Sequence, residues 1–248
     1  MISDYLAARI LTLIIGMATV FLTGAAGGLG RSVTQKLLAS GHRVIATIQP
    51  GSDPKRITAN SMGDLMPIEV DLTDADQTEA VIKQVIAQSG PIDCAVLLAG
   101  GFAMGSLSET DTSMLDQMLT LNFKTAYHVV QPLYAHMSEL PDGGRFVLVG
   151  ARPALDAQAG KNMVAYALSK SLLFELSNLI NASGKQHDIV STVVVPSTID
   201  TPTNREAMPQ ADFTSWVAPD DIADIISFVL FDKGRVLREP VLKVYNKA

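Results

Sequence analysis

Short apolar runs alternate with stretches of helical period from Met17 onward, and nothing else in the chain restricts its fold as tightly. Parallel strands joined by crossover helices produce this alternation. The strand candidates are residues 18–23, 43–48, 65–70, 94–98, 145–149, 189–195 and 241–244. Most are near-continuous hydrophobics, as strands covered on both faces are. The expectation is a doubly wound parallel sheet of Rossmann type, α/β in class, with both faces buried. Leu29, Val33 and Leu37 repeat at helical spacing and stop at Gly41, a residue suited to a left-handed helix end. Thr73 with Asp76 reads as a capping box for the next helix, whose apolar stripe is Val81, Ile82, Val85 and Ile86. Longer helices are predicted over residues 114–137 and 163–182, and a last one over 220–230. Prolines and polar residues crowd into 197–216, and long loops of that kind often serve as lids or binding loops.

The chain has 248 residues, enough to bury about three quarters of its unfolded surface in one core. Residues 17–248 are expected to form a single domain, and residues 1–16 an N-terminal extension of unknown role. Residues 10–22 are uncharged and largely apolar, but a membrane span needs roughly 20 such residues, and the last of them are required as the first strand. No membrane association is expected. A net charge of −6 without a lysine- and arginine-rich block opposes binding to phosphate backbones, so nucleic acid is not an expected partner. Cys94 is the single cysteine, which excludes an internal disulfide and a cysteine-based metal site and fits a reducing, cytoplasmic compartment. His42, His128, His136 and His187 lack a ligand spacing of the H-E-x-x-H kind; they read as structural, with no metal expected.

Two motifs carry chemistry. Thr23-Gly24-Ala25-Ala26-Gly27-Gly28-Leu29-Gly30 lies between a predicted strand and a predicted helix, the setting that a dinucleotide fingerprint needs. Glycines allow a tight turn and close approach of backbone to a pyrophosphate, while the helix N-terminus offers unpaired N–H groups and partial positive charge. Gly24, Ala26, Gly28, Leu29 and Gly30 are therefore cofactor-binding candidates. Tyr166-Ala167-Leu168-Ser169-Lys170 puts a phenol and an ammonium one helical turn apart on one face. An ammonium there favours the phenolate, lowering a pKa that starts at about 10, and makes the tyrosine a usable proton donor or acceptor near neutral pH. Lys170 is also placed to hydrogen-bond ribose hydroxyls. An acid at the end of the second strand would select NAD through the ribose 2′-hydroxyl. The run ends Thr47-Ile48-Gln49-Pro50 instead, so NAD and NADP both stay open. Lys55 or Arg56 is a candidate for a 2′-phosphate, with solvated surface charge as the other reading.

With these motifs in place, the chain from Met17 onward resembles the short-chain dehydrogenase/reductase family. The resemblance implies an NAD(P)-dependent oxidoreductase acting on a small molecule, with Tyr166 and Lys170 as catalytic pair and Asn122 as the asparagine of a proton relay. It implies further cofactor contacts from Gln49 after the second strand, Asp71 and Leu72 after the third, and Ala99 and Gly100 after the fourth. Pro196, Thr198 and Thr201 would add theirs after the sixth. Association through two long helices, as a homodimer or homotetramer, is also implied. The departures bear on substrate. Val149-Gly150-Ala151-Arg152 stands where the family usually has a catalytic serine, Leu97 and Leu98 replace two asparagines, and Ser197 replaces a glycine. Losing one donor aimed at a developing alkoxide costs about 3 to 4 kcal/mol, and Ala151 cannot supply one. The family's dihydropteridine reductase branch tolerates this substitution. It is similar to this chain at Gly150-Ala151, at Ala154-Leu155-Asp156, at Ala99-Gly100-Gly101-Phe102 and along residues 200–216. That similarity implies hydride transfer to a quinonoid dihydropterin-like ring, with Phe102, Ala151 and Trp216 as substrate-pocket candidates. The alternatives are a carbonyl or alcohol oxidoreductase that recruits Ser106 or Thr198 for the missing hydroxyl, and a catalytically silent dinucleotide-binding regulator.

Overall fold

In a computed structural model, which describes residues 17–58, 63–231 and 233–247, all seven predicted strands form. They are β1 (Thr19–Thr23), β2 (Arg43–Ile48), β3 (Leu65–Glu69), β4 (Cys94–Leu97), β5 (Gly144–Val149), β6 (Ile189–Pro196) and β7 (Val241–Val244). The principal helices are α1 (Gly28–Ala39), α2 (Ala75–Ser89), α3 (Thr112–Leu119), α4 (Thr125–Ser138), α5 (Val164–Gly184), α6 (Pro202–Ala207) and α7 (Pro219–Leu230). The role assigned to residues 1–16 lies outside the described residues.

Every neighbouring pair of strands is parallel, in the order β3-β2-β1-β4-β5-β6-β7. Successive side chains point to opposite faces of a strand, and both faces here are apolar. Phe21, Ile45, Phe146, Leu148 and Val193 meet one layer, built from Ile82 of α2, Leu133 and Met137 of α4, and Leu173 and Ile180 of α5. Val20, Leu22, Val44, Val147 and Val194 meet the other, built from Val33 and Leu37 of α1 and Ile222 and Ile226 of α7. Complete burial of such a side chain contributes roughly 1.5 to 3 kcal/mol, so the two layers, rather than strand propensity, hold the sheet. Only the interior strands are covered on both faces. Edge strand β3 is partly exposed and carries Pro67, and β7 is alternately exposed, which corrects the expectation of uniform burial. Proline suits an edge because the ladder there lacks one partner.

From β1 the chain runs outward through β2 to β3, then returns to β4 on the other side of β1. A sheet of this kind binds ligands in the crevice at that reversal, beyond the strand C-termini. Thr23 stands opposite Leu97 and Val149 opposite Val194, so the exits of β1, β4, β5 and β6 share one rim.

Three local expectations are corrected. The cap of α2 is Asp74, whose carboxylate accepts from the Gln77 N–H, and not Thr73; the Thr73 hydroxyl is held by Asp71 instead. The single helix predicted over 114–137 is α3 and α4 joined by a π turn, Thr120–Lys124, closed by the Thr125 N–H donating to the Thr120 carbonyl. The loop 197–216 contains α6 and a 3-10 turn, Phe213–Ser215. The histidines act as ties: the Ala18 N–H donates to His42 Nδ1 at 3.2 Å and the Ile92 N–H to His136 Nε2 at 3.1 Å. His128 Nδ1 donates to the Leu72 carbonyl at 2.9 Å.

Candidate active site

The glycine turn after β1 is built for close approach. Gly24 has φ +69°, and a Cβ there would lie 2.8 Å from the Ala99 backbone nitrogen. Thr23 Oγ1, one residue earlier, accepts from the Leu98 and Ala99 N–H groups at 3.0 and 3.1 Å. The β1 and β4 exits are therefore fixed to each other, and Ala99 lies against the glycine turn. A Cβ on Gly30 would fall 2.1 Å from the Gly24 carbonyl, so helix α1 can seat on its own turn only with hydrogen there. Helix α1 opens at Gly27 without a side-chain cap, unlike α2 and α3, which open on Asp74 and Asp111. Its first N–H groups are thus left to an anion, and a pyrophosphate fits that position. The Thr201 methyl stands where a Cβ on Gly28 would be, 2.6 Å from it. This brings the start of α6 over the turn and places Thr201 beside the cofactor seat; Thr201 Oγ1 caps α6 by accepting from the Asn204 N–H.

Three segments meet at Asn122, which the π turn carries into the core. Its Oδ1 accepts from the Gly101 N–H at 2.9 Å, and its Nδ2 donates to Ser169 Oγ at 3.0 Å. The Ser169 hydroxyl in turn donates to the Tyr166 carbonyl at 2.8 Å. A Cβ on Gly100 would meet Asn122 Oδ1 at 2.4 Å and Lys170 Nζ at 3.5 Å. The loop after β4, the long helix and α5 are thereby locked together, and Tyr166, Lys170 and Asn122 share one neighbourhood. Sequence reasoning missed Ser169, yet a signal was present. Ala165, Ser169, Leu173, Leu176 and Ile180 form the buried stripe of α5, and a hydroxyl at a core position must find partners.

The Lys170 ammonium is buried and donates to the Val149 carbonyl at 2.9 Å. Burial pulls its pKa from the usual 10.5 down to about 8. Tyr166 is held against the exposed ring of Phe102, edge to face at 5.0 Å. Burial pushes its phenol up from 10.0 to about 12. This is the reverse of the expected lowering: burial opposes the charged phenolate. At neutral pH the site therefore holds a phenol with its proton and a lysine with its charge.

The remaining candidates spread along the rim. Ala151 is buried at the β5 exit, and Gly150 packs under Phe174 and Val193. Pro196 ends β6, and the Ser197 hydroxyl donates to the Tyr245 carbonyl at 2.9 Å. The Thr198 carbonyl accepts from the Val217 N–H at 2.9 Å. Trp216 is buried against Phe213, ring centroids 4.8 Å apart, which makes it a support of the 197–216 segment. Ser106 donates to the Glu109 carboxylate at 2.6 Å within its own turn. At the far end, Gln49 is exposed just past β2. The Asp71 carboxylate accepts from the Thr73 N–H and hydroxyl, which hold its pKa below the ordinary carboxylate value, and Leu72 is nearly buried beside it. No cluster of three metal-ligating side chains occurs among the described residues.

Comparison with known proteins agrees with this arrangement. A family model for short chain dehydrogenase matches residues 18–212. Acetoacetyl-CoA reductase of Acinetobacter sp. (strain RA3849) is 26% identical over 236 residues, 90% of this chain and 94% of that protein. Dihydropteridine reductase of Dictyostelium discoideum is 29% identical over 154 residues, 60% of this chain and 64% of that protein. A blue fluorescent protein from a metagenomic library, solved in complex with NADPH, superposes with a TM-score of 0.81 at 25% identity, covering 93% of this chain and 97% of that one. Dihydropteridine reductase is thus one relative among reductases of several substrates. Parallel sheet, glycine turn and matched span agree: this chain belongs to the short chain dehydrogenase family and is an NAD(P)-dependent oxidoreductase.

Proposed function

We propose that the chain reduces a small cyclic substrate of quinonoid type, a quinonoid dihydropterin or a ring of similar electron demand. The observation that carries this reading is Ala151: the position at the β5 exit where the resemblance puts a catalytic serine holds a buried methyl group. Of the hydroxyls considered as replacements, Ser106 is engaged by Glu109 within its own turn. A quinonoid ring gains hydride and proton without forming an alkoxide, so it tolerates the missing donor. The glycine turn, with Gly24, Gly28 and Gly30, would hold a nicotinamide dinucleotide, which would supply the hydride. Tyr166 supplies the proton, because its raised pKa keeps it protonated at neutral pH. Lys170, charged below about pH 8, would stabilise the phenolate left behind and, with the donors not used on Val149, would hydrogen-bond a cofactor ribose. Asn122 fixes the distance between the β4 loop and α5 and orders a water of the proton relay. Phe102 offers the exposed aromatic face against which the substrate ring lies. With no acid after β2, either NADH or NADPH is accommodated.

The test is oxidation of NADH and of NADPH, followed spectrophotometrically, against quinonoid dihydropterin, a panel of quinones, and simple ketones. Turnover of the quinonoid compounds at least a hundredfold above ketones is expected; equal or better ketone turnover overturns the reading.

The outer faces of α4 and α5 expose Tyr127, Leu168, Leu172 and Leu179, and we propose that a second copy covers them in a homodimer or homotetramer. Leu172→Glu with Leu179→Glu should then shift light-scattering mass to the monomer; an unchanged mass removes this interface. No helix among the described residues is long and apolar enough to cross a membrane, and a cytoplasmic location remains part of this proposal.

A further inference from the structure

Beyond the catalytic group, the rim carries a cation that the chemistry above does not use. Arg152 immediately follows Ala151 at the exit of β5. Its guanidinium lies over the ring of Tyr245, 5.2 Å from the centroid. Tyr245 belongs to the tail after β7, and that tail is tied into the rim at two further points. Its carbonyl accepts from Ser197 Oγ at 2.9 Å, and the next side chain, Asn246, donates from Nδ2 to the Thr214 and Trp216 carbonyls at 3.3 and 2.8 Å. Arg152, the tail and the 197–216 segment therefore form one connected wall beside the exits of β5 and β6.

Arg152 makes no ion pair among the described residues, although the chain as a whole is acidic, with a net charge of −6. The acids nearest along its own segment and in the wall are committed elsewhere. Asp156 accepts from the Gln158 N–H at the start of a short helix, Asp200 pairs with Arg205 at 2.6 Å, and Asp212 accepts from the Thr214 N–H and hydroxyl. Cation–π attraction to an aromatic face holds the guanidinium in place without using its N–H donors. A fixed, uncompensated fork of donors matches a carboxylate or sulfonate, which it can grip through two parallel hydrogen bonds.

We propose that Arg152 is a specificity-determining residue that binds an anionic oxygen group, a carboxylate or sulfonate, attached to the ring reduced beside Tyr166. This rests on the reading of the site as a quinonoid-ring reductase and adds the substrate's charge to it. The apolar body of the substrate lies against Phe102, and the anion reaches the wall at Arg152.

The test compares 1,2-naphthoquinone with its 4-sulfonate, two reducible rings that differ by one anionic group. Wild-type protein should prefer the sulfonate by at least tenfold in kcat/KM. Arg152→Met should bring that ratio close to one, and Arg152→Lys should restore part of it. A ratio that is the same in wild type and Arg152→Met overturns the assignment and leaves the reductase reading standing. If neither compound is turned over by any of the three proteins, that reading falls. Arg152 is then decided by titrating both compounds, with NADP⁺ or NAD⁺ present, against the fluorescence of Trp216, the single tryptophan. At least tenfold weaker sulfonate binding in Arg152→Met, relative to the neutral quinone, supports the proposal; equal weakening of both, or none, overturns it.

Discussion

The glycine turn after β1 and the rim at the β5 exit lie on the same edge of the sheet but are specified in different ways. At the turn, what matters is the backbone. Gly24 needs its positive φ, Gly30 needs the absence of a Cβ against the Gly24 carbonyl, and the first N–H groups of α1 are left without a side-chain cap. No side chain there performs chemistry. At the β5 exit the backbone is ordinary strand, and the proposed function depends on side chains instead: Ala151 and Arg152 there, with Tyr166 and Lys170 from α5. A common cofactor can be held by geometry alone, whereas a substrate is read by functional groups, so the first region tolerates little change and the second changes reaction.

Four substitutions strain or sharpen that contrast. Tyr166→Phe removes only the proton donor; kcat for quinonoid reduction should fall about a thousandfold, with the Kd for the nucleotide by fluorescence titration changed less than threefold. A large loss of nucleotide binding would show that the two regions are not separable. Gly30→Ala, at the other pole, should weaken nucleotide binding about tenfold to a hundredfold and cost about 1 to 3 kcal/mol of stability, because the added carbon meets backbone that cannot swing aside.

Lys170→Met tests the electrostatics. A buried ammonium with its pKa lowered from 10.5 to about 8 opposes folding while it stays charged. Converted at 1.36 kcal/mol per unit, that is about 3 kcal/mol, offset by about 1 kcal/mol for the lost Val149 hydrogen bond. The inactive variant should therefore be about 2 kcal/mol more stable than wild type at pH 7 in denaturant titration. The unfolded state binds the extra proton between pH 8 and 10.5, so wild-type stability rises relative to the variant across that window; a gap that is constant with pH contradicts the assignment. The smallest effect is expected for Ala151→Ser. Restoring a donor at the β5 exit should raise ketone turnover relative to quinonoid turnover about tenfold, and no rise would locate the substrate preference elsewhere on the rim.

Most of the scaffold was readable because strands buried on both faces, such as β1, β5 and β6, must be apolar throughout, and Gly41 marks a helix end by its conformation. The edges were harder. Pro67 and the exposed residues of β7 belong to strands with one neighbour, where burial no longer dictates composition. The cap of α2 was misplaced because Thr73, Asp74 and Asp76 all offer capping oxygens, and only the three-dimensional turn assigns Thr73 to Asp71 and Asp74 to the helix. Tyr166 and Lys170 were legible as candidates from their spacing, and Asn122 from the resemblance. The direction of the Tyr166 pKa was not, since it depends on where the Lys170 ammonium points and on how much water reaches the phenol. Ser169 was hidden for a similar reason: its two partners, Asn122 and the Tyr166 carbonyl, converge only after folding.

The wide turn at Thr120–Lys124 has a consequence for how this chain can change. It adds one residue relative to a regular helix, and each residue of an α-helix turns the next by about 100°. A wide turn spends that extra residue on completing the same circle, so deleting one of the five would restore a regular helix and leave Val129, Leu133 and Met137 on the β-sheet side of α4, while Asn122 would lose the turn that holds it between Gly101 and Ser169. The irregular turn is thus maintained by the polar contacts of one residue and not by the apolar seam downstream. Evolutionary loss of that extra residue would leave the core packed and undo the junction between the β4 loop and the helix that carries Tyr166.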